Sequence, residues 1–338
     1  MISSRGFFEP CVHRECDVNT AILYCCLLAV AFVGSLYVLV PSAIRKLPRD
    51  HPTHIQFRSL ACLIVCAGAI FSYPYFFCDD IIDITIESDN QHSRTLFSVK
   101  RIMLFPSLSH RQIRGIFGIL LHTCIIYTGP CFASLFRIYE IQKRSAMQGK
   151  KHQTMFEVIQ SFLSDMLHVP DNKQQFWIAM RNYFIAPLTE EIIFRGFMVP
   201  PLLASGISTL KVSLIAPLFF GIAHFHHAVT RISNGERPRS VMLMTTFQFL
   251  YTSLFGSYAS YAFIRAGSVL AVTLSHSYCN WMGLPDLSFV TNSYHPLYQY
   301  RMAILPSYII GICTFWYMFQ IDILLPLPPE LIGMINSN

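Results

Sequence analysis

Stretches of about 20 apolar residues, the length a helix needs to cross the hydrocarbon core of a bilayer, recur along this chain. The clearest are residues 20–40, which close at Pro41 ahead of Arg45, Lys46 and Arg49, and residues 60–77, which close at Cys78, Asp79 and Asp80. A third covers 115–136, and five more follow at closer spacing: 176–200, 210–227, 241–263, 268–284 and 302–323. The pattern predicts an all-α, polytopic integral membrane protein of about eight transmembrane helices, forming a single membrane domain over residues 1–338.

Composition excludes the competing classes. Only 13% of the residues are charged, against 53% hydrophobic, whereas a soluble domain carries about 25% charge. The 28 Phe and 16 Tyr are the reverse of a disordered composition. The net charge of +6 comes from short clusters between apolar runs, not from the basic stripe of a nucleic-acid binder, so no nucleic-acid partner is expected. Loops flanking alternate spans hold 14 and nine basic residues, and the positive-inside rule puts the richer set, with Arg49 and Arg58, in the cytosol. The 11 cysteines lie mostly in apolar runs without a CxxC pair, as buried small hydrophobes do. The N-terminus lacks a cleavable-signal design, so the first span is expected to target the chain and stay in place. Two hydrophilic segments interrupt the pattern, 79–114 and 137–175. In the second, Met155, Val158, Phe162 and Met166 share one face of a helix over 152–167, which reads equally as interfacial or as packed on the protein.

The fourth apolar stretch is the anomaly. It contains Glu190, Glu191 and Arg195, and an ionised group at mid-bilayer costs about 2.5–3.5 kcal/mol on translocon scales. Glu191 and Arg195 stand at i and i+4, acid first, the favourable order for a helical ion pair. Glu190 lies about 100° round the helix and points elsewhere. This spacing neutralises Glu191 and leaves Glu190 free for chemistry. The fifth stretch carries Phe220 and His224, and the seventh places His276 and Asn280 on one face. Polar groups in spans normally face a bundle interior or a wet cavity, so these helices can converge on one pocket. Each element also has a plain alternative: the ion pair as a packing lock, Asn280 as interhelical glue, His122 as a satisfied core histidine, and Ser275, Ser277 and Cys279 as packing residues.

Glu190-Glu191-x-x-x-Arg195, Phe220-x-x-x-His224 and His276-x-x-x-Asn280 together resemble the three motifs of the CAAX-processing intramembrane endopeptidases. The Asn at the end of the third motif is closest to the type II, Ras-converting CAAX prenyl protease branch of the endoplasmic reticulum. The motif-bearing part covers about 176–284. The resemblance implies a polar intramembrane catalytic pocket without a cofactor and removal of the aaX tripeptide from prenylated CaaX proteins such as Ras-type GTPases. Those partners would be farnesylated or geranylgeranylated and would be met in the lipid bilayer. It further implies that Glu190 activates water as general base with His224, that His276 and Asn280 stabilise the oxyanion, and that Glu191 and Arg195 are a supporting ion pair. Two other readings of the residues stay open: a zinc peptidase with Glu190, His224 and His276 as ligands, and a transporter or scaffold whose charges serve relay or helix pairing.

Overall fold

A computed structural model describes residues 17–76, 110–148, 154, 156–157, 172–223, 225–233 and 235–320, and these residues contain helices and turns without strands. Helix α1, Val18–Val38, starts at Asp17, whose carboxylate accepts from the N–H groups of Asn19 and Thr20 at 3.1 and 3.3 Å, a side-chain N-cap. After the single turn α2, Ser42–Arg45, comes α3, Pro52–Phe76. It begins eight residues before the apolar stretch at 60 because Pro52 suits a first helical position and the polar residues after it continue the same helix.

The third apolar stretch is not one straight span. Helices α4, His110–Ile126, and α5, Thr128–Met147, meet at a 57° bend. Pro130 supplies the cause, since it lacks the N–H that would bond the Ile126 carbonyl four residues back. Gly129 beside it leaves space that the Tyr308 ring fills.

The remaining stretches all carry helix. They comprise α6, Lys173–Met180; α7, Ala186–Glu191; α8, Val199–Ala204; α9, Thr209–Ala223; α10, Phe225–Ser233; α11, Pro238–Ala266; α12, Val269–Met282; and α13, Arg301–Gln320. Among the described residues, however, three helices are long and apolar enough to cross a bilayer unaided: Val18–Val38, Pro52–Tyr73 and Tyr298–Phe319. The bent pair makes a fourth if taken as one span. Helix α12 has 14 residues, about 21 Å at 1.5 Å per residue, and α11 is diluted by Thr245, Thr246, Gln248, Thr252, Ser253 and Ser257. Val30, Phe71, Leu254 and Met302 on outer faces are each more than 70% exposed. Large apolar surface of this kind is what contact with lipid requires, and the protein is a membrane-associated, all-α chain.

The segment with the charges sits at the centre. Every residue from Ile192 to Leu202 is buried, packed by Phe32 of α1, Tyr73 of α3, Ile119 of α4, Phe220 of α9 and Val272 of α12. Segments 79–109 and 158–167, the latter most of the expected amphipathic helix, lie outside the described residues. At its beginning Thr154 and Glu157 cap one another reciprocally, at 2.8 and 3.2 Å, as in a capping box.

Helices α9 and α11 approach closely through glycine. A methyl group at Gly256 would fall 2.7 Å from Pro217 Cβ and 3.1 Å from Arg195 Nη2, whereas one at Gly34 would meet nothing within 4 Å. Overpacking a tight core costs about 1–3 kcal/mol. Gly256→Val is therefore expected to lower the thermal midpoint of the detergent-purified protein, and Gly34→Ala to leave it unchanged or raised; equal behaviour of the two would refute the tight α9–α11 contact.

Candidate active site

Residues 173–204 form one irregular rod in which α-helical and wider π-helical turns alternate. The π stretches are Arg181–Ile185 and Ile192–Phe197, and proline follows each, Pro187 two residues after the first and Pro200 three residues after the second. In the first, the Ala186 N–H reaches back five residues to the Arg181 carbonyl. In that register the Asn182 carbonyl would take its bond from residue 187, which is proline and has no N–H. A buried or half-buried carbonyl needs another donor. Asn280 of α12 supplies it, with Nδ2 donating to the Asn182 oxygen at 2.9 Å. Wide turns of this kind occur often at functional sites.

The two adjacent glutamates occupy different environments. Glu191 is fully buried, and its Oε1 accepts from Arg195 Nη1 at 3.0 Å. The same oxygen accepts from His276 Nδ1 at 2.7 Å, so one carboxylate oxygen ties α7, the π stretch after it and α12 together. The Phe220 ring lies 5.3 Å from the guanidinium carbon of Arg195, close enough for a cation–π contact. The Glu190 side chain is 21% exposed, and its Oε2 stands 3.8 Å from His276 Nε2. The His276 ring thus spans the pair, one nitrogen on each glutamate. Helical phase separates the glutamates on their own rod, but a ring from α12 reaches both.

Two cavities meet at Glu190. The larger, about 360 Å³, is lined by His276, Asn280, Asn182, Tyr127, Tyr251 and Phe255. The smaller, about 170 Å³, runs between Phe32, Leu36, Ile55, Arg58, Ile185 and Phe194. Arg49, Arg181, Ala186, Glu190 and Phe220 line both. His224 lies outside the described residues, so its approach to Glu190 is not part of this geometry. Phe220, its motif partner, is buried at 3% exposure. No group of three or more His, Cys, Asp or Glu side chains placed to hold a metal occurs among the described residues, a set that omits His224.

The plain readings resolve individually. His122 Nε2 donates to the Phe315 carbonyl at 3.0 Å and its ring stacks on Phe315, so it is a core histidine held by one nitrogen, its buried Nδ1 having no hydrogen-bond partner among the described residues. Ser275 bonds Thr123 of α4 at 2.7 Å and Ser277 the Thr273 carbonyl at 2.8 Å, both packing roles. Sequence reasoning missed the His276–Glu191 bond, the Asn182 carbonyl, and the presence of Arg49 and Arg181 on the cavity wall. Pro187 was the available signal for the second, since a proline inside a polar-bearing helix always leaves carbonyls to be satisfied.

Removing one member of a buried ion pair strands the other, at about 3–5 kcal/mol. Glu191→Leu and Arg195→Met should each lower unfolding stability by that order, while the double variant should lose less than the sum, as a double-mutant cycle in detergent would read. Additive losses would mean that the pair is not coupled.

Comparison with known proteins follows the same residues. The family described as type II CAAX prenyl endopeptidase Rce1-like matches residues 170–282, the rod with both glutamates through to the end of α12. CAAX prenyl protease 2 of Homo sapiens is 30% identical over 305 residues, covering 89% of this chain and 80% of that protein. The protein of the same name in Arabidopsis thaliana is 28% identical over 274 residues, covering 80% and 82%. A probable CAAX prenyl protease 2 of Schizosaccharomyces pombe is 35% identical over 169 residues, covering 50% and 54%. No solved structure matches. By this likeness across most of its length, the chain belongs to the CAAX prenyl protease family of Rce1-like type II endopeptidases.

Proposed function

We propose that this protein is an intramembrane endopeptidase of the endoplasmic reticulum that releases the aaX tripeptide from prenylated CaaX proteins, using water activated by Glu190. The observation that carries the reading is the meeting of Glu190 and His276 at 3.8 Å on one cavity wall, with Asn280 on the same wall, in a chain of this family. The short helices α9 and α12 complete an eight-crossing domain by packing against longer ones, with Phe220 of α9 and His276 and Asn280 of α12 on the cavity wall.

The steps follow from the residues. The Glu190 carboxylate takes a proton from a water, whose oxygen attacks the carbonyl carbon of the prenylated cysteine. The carbonyl oxygen becomes an oxyanion and accepts from His276 Nε2 and from an Asn280 N–H. An amide has two N–H groups, so Asn280 serves the Asn182 carbonyl with one and substrate with the other. The Nδ1–H of His276 is given to Glu191, so Nε2 is a donor when the ring carries both protons, and negative Glu191 stands beside it as counter-charge. Collapse breaks the C–N bond, and the leaving amine receives the proton that Glu190 took, with His224 assisting its transfer. Each oxyanion donor is worth about 10²–10³ in rate, and the positioned base about 10²–10⁴. The prenyl chain, partitioned among helices, delivers the bond to this place, so binding energy remote from the reaction orients it.

The test is tripeptide release by purified protein from a farnesylated Cys-a-a-X peptide, with the unprenylated peptide as control. Wild type is expected to cleave the first and spare the second. Glu190→Ala and His224→Ala should reduce cleavage by at least about 100-fold while remaining membrane-inserted. Wild-type rates in either variant would overturn the catalytic assignment. Cleavage is also expected to survive exhaustive chelation, and loss of activity restored by added zinc would replace the glutamate mechanism with a metal one.

A further inference from the structure

Three arginines face the smaller cavity: Arg49 before α3, Arg58 on α3 and Arg181 at the first π stretch. Arg181 Nη1 donates to Asp50 Oδ1 at 2.8 Å. Among the described residues, no carboxylate stands within ion-pair distance of Arg49 or Arg58. Arg58 is only partly exposed and stands among Phe32, Leu36, Ile55 and Phe194. Arg49 is exposed and has Asp50 and Glu190 as neighbouring charges, whereas Arg58, set against apolar walls with no carboxylate of the described residues beside it, loses hydration and gains little in return unless an anion arrives to meet it. The cavity also has a defined relation to the chemistry, since Glu190 stands on the wall it shares with the larger one.

The substrate assigned under the proposed function, on which this inference rests, carries one obligatory anion near the scissile bond: its own C-terminal carboxylate. Three extended residues place it about 10 Å beyond that bond, and the two residues between present aliphatic side chains. An apolar cavity with guanidinium groups on its wall fits that set of features, and arginine is the side chain best shaped for a carboxylate. The larger cavity, with Tyr127, Tyr251, Phe255 and Leu284, is left for the prenylated cysteine side.

We propose that the cavity lined by Arg49, Arg58 and Arg181 is the subsite for the leaving peptide, and that Arg49 and Arg58 bind its free C-terminal carboxylate. Glu190 then stands on the wall the two subsites share with Arg49 and Arg181, while Arg58 marks the side of the leaving tripeptide and Tyr127, Tyr251 and Phe255 the side of the lipidated cysteine. The enzyme measures the distance from the chain end and so trims three residues rather than cutting within a longer tail.

The experiment compares one farnesylated Cys-a-a-X peptide as free acid and as C-terminal amide, with the full-length protein in detergent. Wild type is expected to favour the acid by about 10- to 100-fold in kcat/KM, the worth of a charge-assisted hydrogen bond. Arg58→Gln and Arg49→Gln should each shrink the acid-to-amide ratio toward one, with Arg58→Lys retaining part of it. The free tripeptide acid should inhibit wild type more strongly than its amide, which decides the matter even if the variants fail to fold. Equal cleavage of acid and amide by wild type, or a ratio unchanged in both glutamine variants, would overturn the subsite while leaving the endopeptidase reading intact. Anionic lipid that relieves a defect in the variants without any acid preference in wild type would assign the arginines to phosphate headgroups instead. Failure of wild type to cleave either peptide would overturn both readings together.

Discussion

One buried carboxylate organises the site. Glu191 is removed from solvent and balanced by Arg195, and the oxygen that meets the guanidinium also holds the His276 ring. A charge in that position is tolerable only because both partners are present. Its value lies in geometry as much as in energy, since it fixes which face of the imidazole looks toward Glu190 and which nitrogen carries the shared proton. The adjacent acid keeps partial exposure and a cavity beside it. Two identical side chains, neighbours in sequence, are thereby given opposite environments by a rotation of about 100° on one rod.

The rod itself is shaped by its prolines. Pro187 and the Pro200–Pro201 pair withhold N–H groups, and the turns before them widen to π geometry. The cost of the irregular backbone is met by side chains from other helices, most directly Asn280 on the Asn182 carbonyl. Asn280 therefore reaches the cavity because the backbone defect draws it there. Burial of everything from Ile192 to Leu202 anchors the far end of the rod, so that the two glutamates are held by a packed core on one side and bordered by cavities on the other.

Local facts of the site were legible in the sequence: the Glu191–Arg195 spacing, the separation of Glu190 from that face, and the shared face of His276 and Asn280. Each depends only on helical period. Contacts between helices were not legible, because no period within one helix states which neighbour it meets; the His276–Glu191 bond joins residues 85 apart. Hydropathy overstated the independence of the spans. It read 115–136 as straight although Gly129 and Pro130 mark the bend, and it counted α9 and α12 by apolarity without regard to their length. Arg49 and Arg58 looked like loop charges, and Arg181, early in the fourth stretch, drew no reading, because hydropathy says where a chain leaves the membrane and not which charges line an interior cavity.

The paired glutamates divide their labour, one for chemistry and one for structure, and the thermal midpoints of two conservative variants report that division. Glu190→Gln should melt within a degree or two of wild type, whereas Glu191→Gln, which removes the charge opposite Arg195 and His276, should fall by several degrees, at roughly 2–4 °C per kcal/mol for a chain of this class. Equal midpoints, or a larger fall for Glu190→Gln, would contradict the assignment of Glu191 as the residue that holds the site together.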